Sequence, residues 1–311
     1  MNFIQNKDFY KWCQLLCLEH PKEDFPSYVK SYLTHYCQFL LDLNVEESII
    51  HKVECFSKNI YVCLIEYYWG QHESAYIAFK TAIKNVPLDS ILKVLLESKF
   101  YRARNVCDRK VSPDEIFHIS FEERYKVKTQ RFSYPGLPCL YFGSSYQICC
   151  EEIHQTNSCL NIALFQKSMD EDIDVLDLYF FENYKLSELS EDELLAFLNL
   201  WPLVACCSFY YADAINMEFR PDYIIPQLLL ELIVDKNSEY CIQNINKAIL
   251  GIRYCSVKKI LNTFSDNDFS YTCVNFVFPA LSDQRTGKCQ NLMKKFPLKE
   301  IYYLWELETK N

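Results

Sequence analysis

The residue types best suited to chemistry crowd between Phe100 and Ile153, where FYRAR opens the stretch and RFSYPGLPCLYFGSSYQICCEEI closes it. Arg102 and Arg104 stand two apart in a strand-like segment, which places both on one face. Two guanidiniums on one face repel unless an anion sits between them, and a diphosphate fits because arginine grips phosphate oxygens as a fork. Ion pairs with some of the 41 acidic residues would satisfy them equally well. Arg131 begins a run that turns at Pro135-Gly136 and enters a strand through Tyr141. Ser144 or Ser145 then caps a helix whose last turn holds Glu151 and Glu152. A strand, turn, strand and helix in that order can converge Arg131, Tyr141 and Glu152 at one end of a sheet. Taken singly, the three read more simply as a surface arginine, a core tyrosine and a solvated glutamate near a helix end. An acid at a helix C-terminus opposes the helix dipole, so Glu152 asks for a reason of its own.

Two later segments add donors. Pro226-Gln227-Leu228 opens an apolar helix, and Gly251 to Ser256 reads as a strand leaving a tight turn. Ser256 has no histidine and aspartate beside it, which argues against a nucleophile and leaves a pocket hydrogen-bond donor or a plain strand-end serine. His118, in IFHI, alternates with apolar neighbours and reads as a packed core histidine.

The elements that must hold these residues fall into two patterns. From Met1 to about Lys99 apolar residues recur at helical spacing, as in Tyr32, Tyr36, Phe39, Leu40 and Leu43. Asp24 ahead of Phe25-Pro26 and Asp89 ahead of Ile91 to Leu96 fit helix N-caps. No arginine precedes Arg102, so composition changes where the pattern does, and the expected domains are a helical 1–99 and a second domain 100–311. In the second, strands are expected over 100–106, 139–142, 160–165, 175–178, 251–254, 273–278 and 301–305. Helices are expected over 145–154, 191–201 and 226–234. Without regular crossover helices this is an α+β chain with a mixed, largely antiparallel sheet. Only five glycines are present and no Gly-rich phosphate loop, which sets aside Rossmann and P-loop readings.

At 311 residues, half of them hydrophobic, the chain is large enough for two domains with cores of their own. A formal charge of -9 argues against direct nucleic-acid binding. The start MNFIQNKDFYKW lacks a secretory pattern, and no apolar run approaches the ~18 to 20 residues of a membrane helix, so a cytoplasmic protein without membrane contact is expected. The 16 cysteines sit in apolar patterns with no CxxC pair and read as buried thiols, with no metal site.

Taken in order, FYRAR, FHISFEERYKVKTQRFSYPGLPCLYFGSS, CCEEI, YIIPQLLLELI, GIRYCS and NFVFP resemble the RES domain, named for an arginine, a glutamate and a serine. The resemblance runs from Phe100 to about Trp305. Its functional arginines would fall on Arg102 and Arg131, its tyrosine on Tyr141, its glutamate on Glu152 and its serine on Ser256. On this basis Glu152, Tyr141 and Arg131 form the expected catalytic set, and Arg102, Arg104, Ser256 and Gln227 the expected substrate-binding set. The chain departs from the common pattern beside these positions, with Gln130-Arg131-Phe132-Ser133 where many members have Gly-Arg-Phe/Trp-Asn, and Tyr254-Cys255-Ser256 where many have Tyr-Pro-Ser.

The resemblance implies an ADP-ribosyltransferase-like fold that cleaves NAD+ by hydrolysis or phosphorolysis, with inorganic phosphate a candidate co-substrate and no further cofactor. It implies a bacterial toxin partnered by an Xre-type antitoxin, and it admits a homo-oligomer. The N-terminal segment is similar to the HEPN-like helical domain in front of some RES domains. HEPN ribonucleases use an arginine shortly followed by a histidine, so the lack of arginine before Arg102 leaves a regulatory or packing role. Transfer of ADP-ribose to a macromolecule and a non-catalytic nucleotide-sensing module are the alternatives.

Overall fold

A computed structural model describes residues 12, 17–18, 24–106, 108–153, 160–169, 172–179, 190–211, 218–235, 249–256, 274–282 and 284–309. His154 and Cys273, at the ends of two expected elements, lie outside them. In chain order the helices are α1 (Phe25–Asp42), α2 (Glu47–Tyr68), α3 (His72–Ile83), α4 (Pro113–Ile116), α5 (Tyr146–Glu152), α6 (Glu191–Ser208), α7 (Ile224–Val234), α8 (Gln290–Lys295) and α9 (Leu304–Glu308). The strands of the main sheet are β1 (Leu92–Val94), β2 (Lys99–Arg104), β3 (Cys139–Gly143), β4 (Asn161–Gln166), β5 (Asp174–Asp177), β6 (Ile249–Cys255), β7 (Val274–Pro279) and β8 (Leu298–Tyr303).

The chain divides into two compact units. The first takes Met1–Ile91, Phe180–Asn246 and Ile260–Asp266, and the second takes Leu92–Tyr179, Lys247–Lys259 and Asn267–Asn311. The division expected at 99/100 falls just inside the second unit, and α6 and α7 group with the N-terminal helices. Side-chain chemistry explains the grouping. The Trp201 indole N–H donates to Tyr32 Oη at 3.0 Å, and the Tyr36 hydroxyl donates to the Leu198 carbonyl at 2.9 Å. Asp24 caps α1 as expected, its Oδ1 accepting the Ser27 N–H at 2.9 Å. The helix expected over 191–201 continues through Pro202 to Ser208, because Leu203, Val204, Ala205, Cys206 and Cys207 are all buried and packing outweighs the backbone bond that Pro202 forgoes.

The expected helix over 91–96 is not formed. A 3-10 turn at Leu88–Ile91 leads instead into β1, which pairs antiparallel with β5, Leu92 opposite Leu176. A run as short as ILKVLL satisfies either period, and the waiting strand edge decides.

The eight strands of the second unit run in the order β8-β4-β2-β3-β7-β6-β5-β1. Every neighbouring pair is antiparallel except the parallel β5 and β6, so the sheet is mixed and largely antiparallel. The strand expected over 301–305 starts earlier, at Leu298, and gives way to α9 at Leu304. On one face Phe100, Phe142, Phe165, Phe276, Phe278 and Phe296 interlock, with ring centroids 4.6 Å apart for Phe278 and Phe296. The other face carries Ala103 and Ile162 against Cys149 and Cys150 of α5 and Leu304 of α9. Every cysteine whose side chain is described is a free thiol, buried except for the half-exposed Cys55. Among the described residues no helix is long and apolar enough to cross a membrane.

Candidate functional site

Strand register builds the site. Tyr101 lies opposite Gly143, Gly143 opposite Asn275, and Asn275 opposite Tyr254, so one row crosses β2, β3, β7 and β6 on a single face. A Cβ on Gly143 would stand 2.9 Å from Cys149 Sγ and 3.1 Å from the Ser145 carbonyl oxygen. Glycine at this point lets α5 lie directly on the sheet. Ser145, the cap expected from the sequence, accepts the Ile148 N–H at 3.4 Å and starts the helix there.

The last residue of α5 is Glu152. Its Oε1 accepts the Ser256 hydroxyl at 2.6 Å and the Asn275 amide N–H at 2.9 Å. Both donors are buried, at 2% and 6% exposure. Two side-chain donors thus offset the unfavourable helix end and hold the carboxylate in one orientation. Sequence reading did not single out Asn275, yet the signal is there: a lone amide in the otherwise apolar strand VNFVFP must find a partner or cost free energy.

Arg102 fills a different gap. Strands β2 and β3 share one register pair, Tyr101 with Gly143, and beyond it Arg102 Nη1 donates to the Tyr141 carbonyl at 2.8 Å. Arg102 is only 9% exposed, and its buried Nε has no hydrogen-bond partner among the described residues. Burial pushes its pKa well below the usual arginine value, and the neighbouring Arg104 adds to the effect. Arg104 does other work, its Nε and Nη2 donating to the carbonyls of Glu115 and Phe117, each at 3.2 Å. Through these two bonds Arg104 ties down the end of α4 and the residue that follows it.

Arg131 occupies a tight turn, closed by the Ser133 N–H on the Gln130 carbonyl at 3.1 Å and by the reverse bond at 2.8 Å. The next residue, Phe132, is fully buried with its ring 4.6 Å from that of Tyr254, which pins the turn to the end of the row. The Pro135-Gly136 turn follows, with Gly136 at φ +91° and the Leu137 N–H on the Tyr134 carbonyl at 3.2 Å. Tyr141 returns beneath this loop, its hydroxyl beside Ser133 and the Phe132 backbone, and burial pushes that hydroxyl's pKa well up. Hydrogen bonds join Glu152 to Ser256 and Asn275, register joins Asn275 to Tyr254, and the Phe132 ring joins Tyr254 to the Arg131 turn, beside which the Tyr141 hydroxyl lies. Gln227 lies on α7 in the first unit, whereas the other expected site residues belong to the second.

His118 is the packed histidine the sequence suggests. Its Nδ1–H is assigned to the Ile119 carbonyl at 2.7 Å, and its Nε2 accepts the Cys289 N–H at 2.8 Å. Burial lowers its pKa to about 4.

An anchored carboxylate, and a buried guanidinium with no carboxylate partner among the described residues, suit a substrate with an anionic part and a centre that becomes cationic. No family model matches the chain. The candidate toxin YopC of Bacillus subtilis (strain 168) is 28% identical over 306 residues, a match covering 89% of this chain and 65% of YopC. The chain therefore spans less than two thirds of the length of that relative. Among solved structures, the M. tuberculosis MbcT-MbcA toxin-antitoxin complex aligns at 14% identity and a TM-score of 0.35, covering 72% of this chain and 93% of the matched one.

Proposed function

We propose that the chain is a RES-type, NAD+-cleaving enzyme that breaks the nicotinamide-ribose bond and acts as the toxin of a toxin-antitoxin pair. The observation that carries this reading is the Glu152 carboxylate held by Ser256 and Asn275. The sequence resemblance to RES domains and the similarity to the candidate toxin YopC support it.

Nicotinamide leaves as a neutral molecule, so no general acid is needed, and the barrier lies in positive charge growing on the ribose. Glu152 stabilises that charge electrostatically. Arg131 and Arg102 bind the diphosphate or ribose, and Tyr141 packs on the nicotinamide end. Ser256 orients Glu152, Arg104 supports the pocket through its loop, and Gln227 is assigned to substrate contact on the resemblance alone. Water or inorganic phosphate attacks the anomeric carbon, and no further cofactor takes part. An Xre-type antitoxin is the proposed partner, with the HEPN-like helices in a regulatory or packing role.

The test is nicotinamide release from NAD+ by the full chain, with and without phosphate, beside Glu152→Gln. This substitution keeps the size of the side chain and removes its charge. The expected loss is ~10² to 10³-fold in rate, and expression of the unsubstituted chain alone should arrest growth. No release by the unsubstituted chain overturns the reading. Label from the ADP-ribose half appearing on a protein would replace hydrolysis with transfer.

A further inference from the structure

We infer that Asn275 is a positioning residue for the reaction, acting through Glu152; this rests on the NAD+-cleaving reading above. Its strand, β7, is apolar and buried along its whole length apart from this amide. A buried amide in a sheet costs free energy unless its hydrogen bonds are made, and here Nδ2 donates to Glu152 Oε1 at 2.9 Å. The opposite residue on β3 is Gly143, which has no side chain to intervene and lets α5 settle onto the sheet. On the other side lies Tyr254, the ring that holds the Arg131 turn through Phe132. Asn275 therefore stands at the junction of the two catalytic segments.

Ser256 also donates to Oε1, so one carboxylate oxygen carries both anchors. A serine hydroxyl can rotate and can either donate or accept. The amide is the donor with a fixed direction, and its strand is gripped on both sides. Asn275 thus fixes the plane of the carboxylate that faces the developing cation, without itself touching substrate.

A double-substitution cycle on the full chain tests this. Asn275→Ala should lower kcat for NAD+ cleavage by about tenfold or more with KM changed less than about threefold, since the lost orientation acts on the transition state. In a Glu152→Ala background the same substitution should have no further effect, because the group it positions is gone. Asn275→Asp, of nearly the same shape, should be at least as impaired as Asn275→Ala, because a second carboxylate then faces the first. Rate loss that persists undiminished in the Glu152→Ala background, or a fully active Asn275→Asp, overturns the proposal while leaving the reaction intact. No turnover by the unsubstituted chain overturns both.

Discussion

His118 shows at the scale of one residue how a group can be titratable without being catalytic. Its two ring nitrogens are spent on the Ile119 carbonyl and the Cys289 N–H, and burial lowers its pKa to about 4. A histidine pKa depressed on folding means that the unfolded chain takes up the proton first. Stability from this group is therefore complete above about pH 6.5 and is lost as pH falls from there towards 4. The expected loss is on the order of 3 kcal/mol at the acid end, read as the urea midpoint of the full chain between pH 7 and 4, and His118→Gln should flatten that slope. The sequence showed this residue correctly because alternation with apolar neighbours is a local signal. Asn275 was not legible in the same way, since its partner lies 123 residues away and a lone strand asparagine does not say what it faces. Arg104 was half legible: spacing identifies a guanidinium near Arg102 but not the two carbonyls it holds.

At the scale of elements, the site depends on how low α5 sits. Gly143 leaves no room for a Cβ between β3 and the helix, with Cys149 Sγ 2.9 Å away. Gly143→Ala is expected to destabilise the chain by about 1 to 3 kcal/mol through overpacking. On the proposed reading it should also lower NAD+ turnover by more than stability alone requires, because a raised α5 carries Glu152 off Ser256 and Asn275. Thermal midpoint and kcat of the folded variant measure the two effects separately, and an unchanged kcat would mean that α5 has slack. The cap at Ser145 and the strands around it were readable because capping serines and short apolar runs carry their own mechanism. The stretch after Leu88 and the continuation of α6 past Pro202 were not, because a strand edge in the first case and buried packing in the second overrode local preference.

At the scale of the molecule, the lack of arginine before residue 102 marks a change of composition close to where the second unit begins, but says nothing of α6, which belongs with the N-terminal helices. Helical periodicity says that a face is buried without saying against what. The bonds from Trp201 to Tyr32 and from Tyr36 to Leu198 join parts of one unit that lie 169 and 162 residues apart. A fragment cut at 99/100 should consequently fail to fold on either side, visible as lost near-UV dichroism and aggregation; two well-folded halves would contradict the unit boundaries. Long-range wiring also sets when the proposed site can assemble during synthesis. Glu152 leaves the ribosome well before Ser256 and Asn275, which follow it by 104 and 123 residues. Because chains emerge from the N-terminus, a message that breaks or a ribosome that stalls before codon 275 yields a product whose Glu152 carboxylate lacks its Asn275 anchor. On the proposed reading, activity cannot precede the synthesis of Asn275.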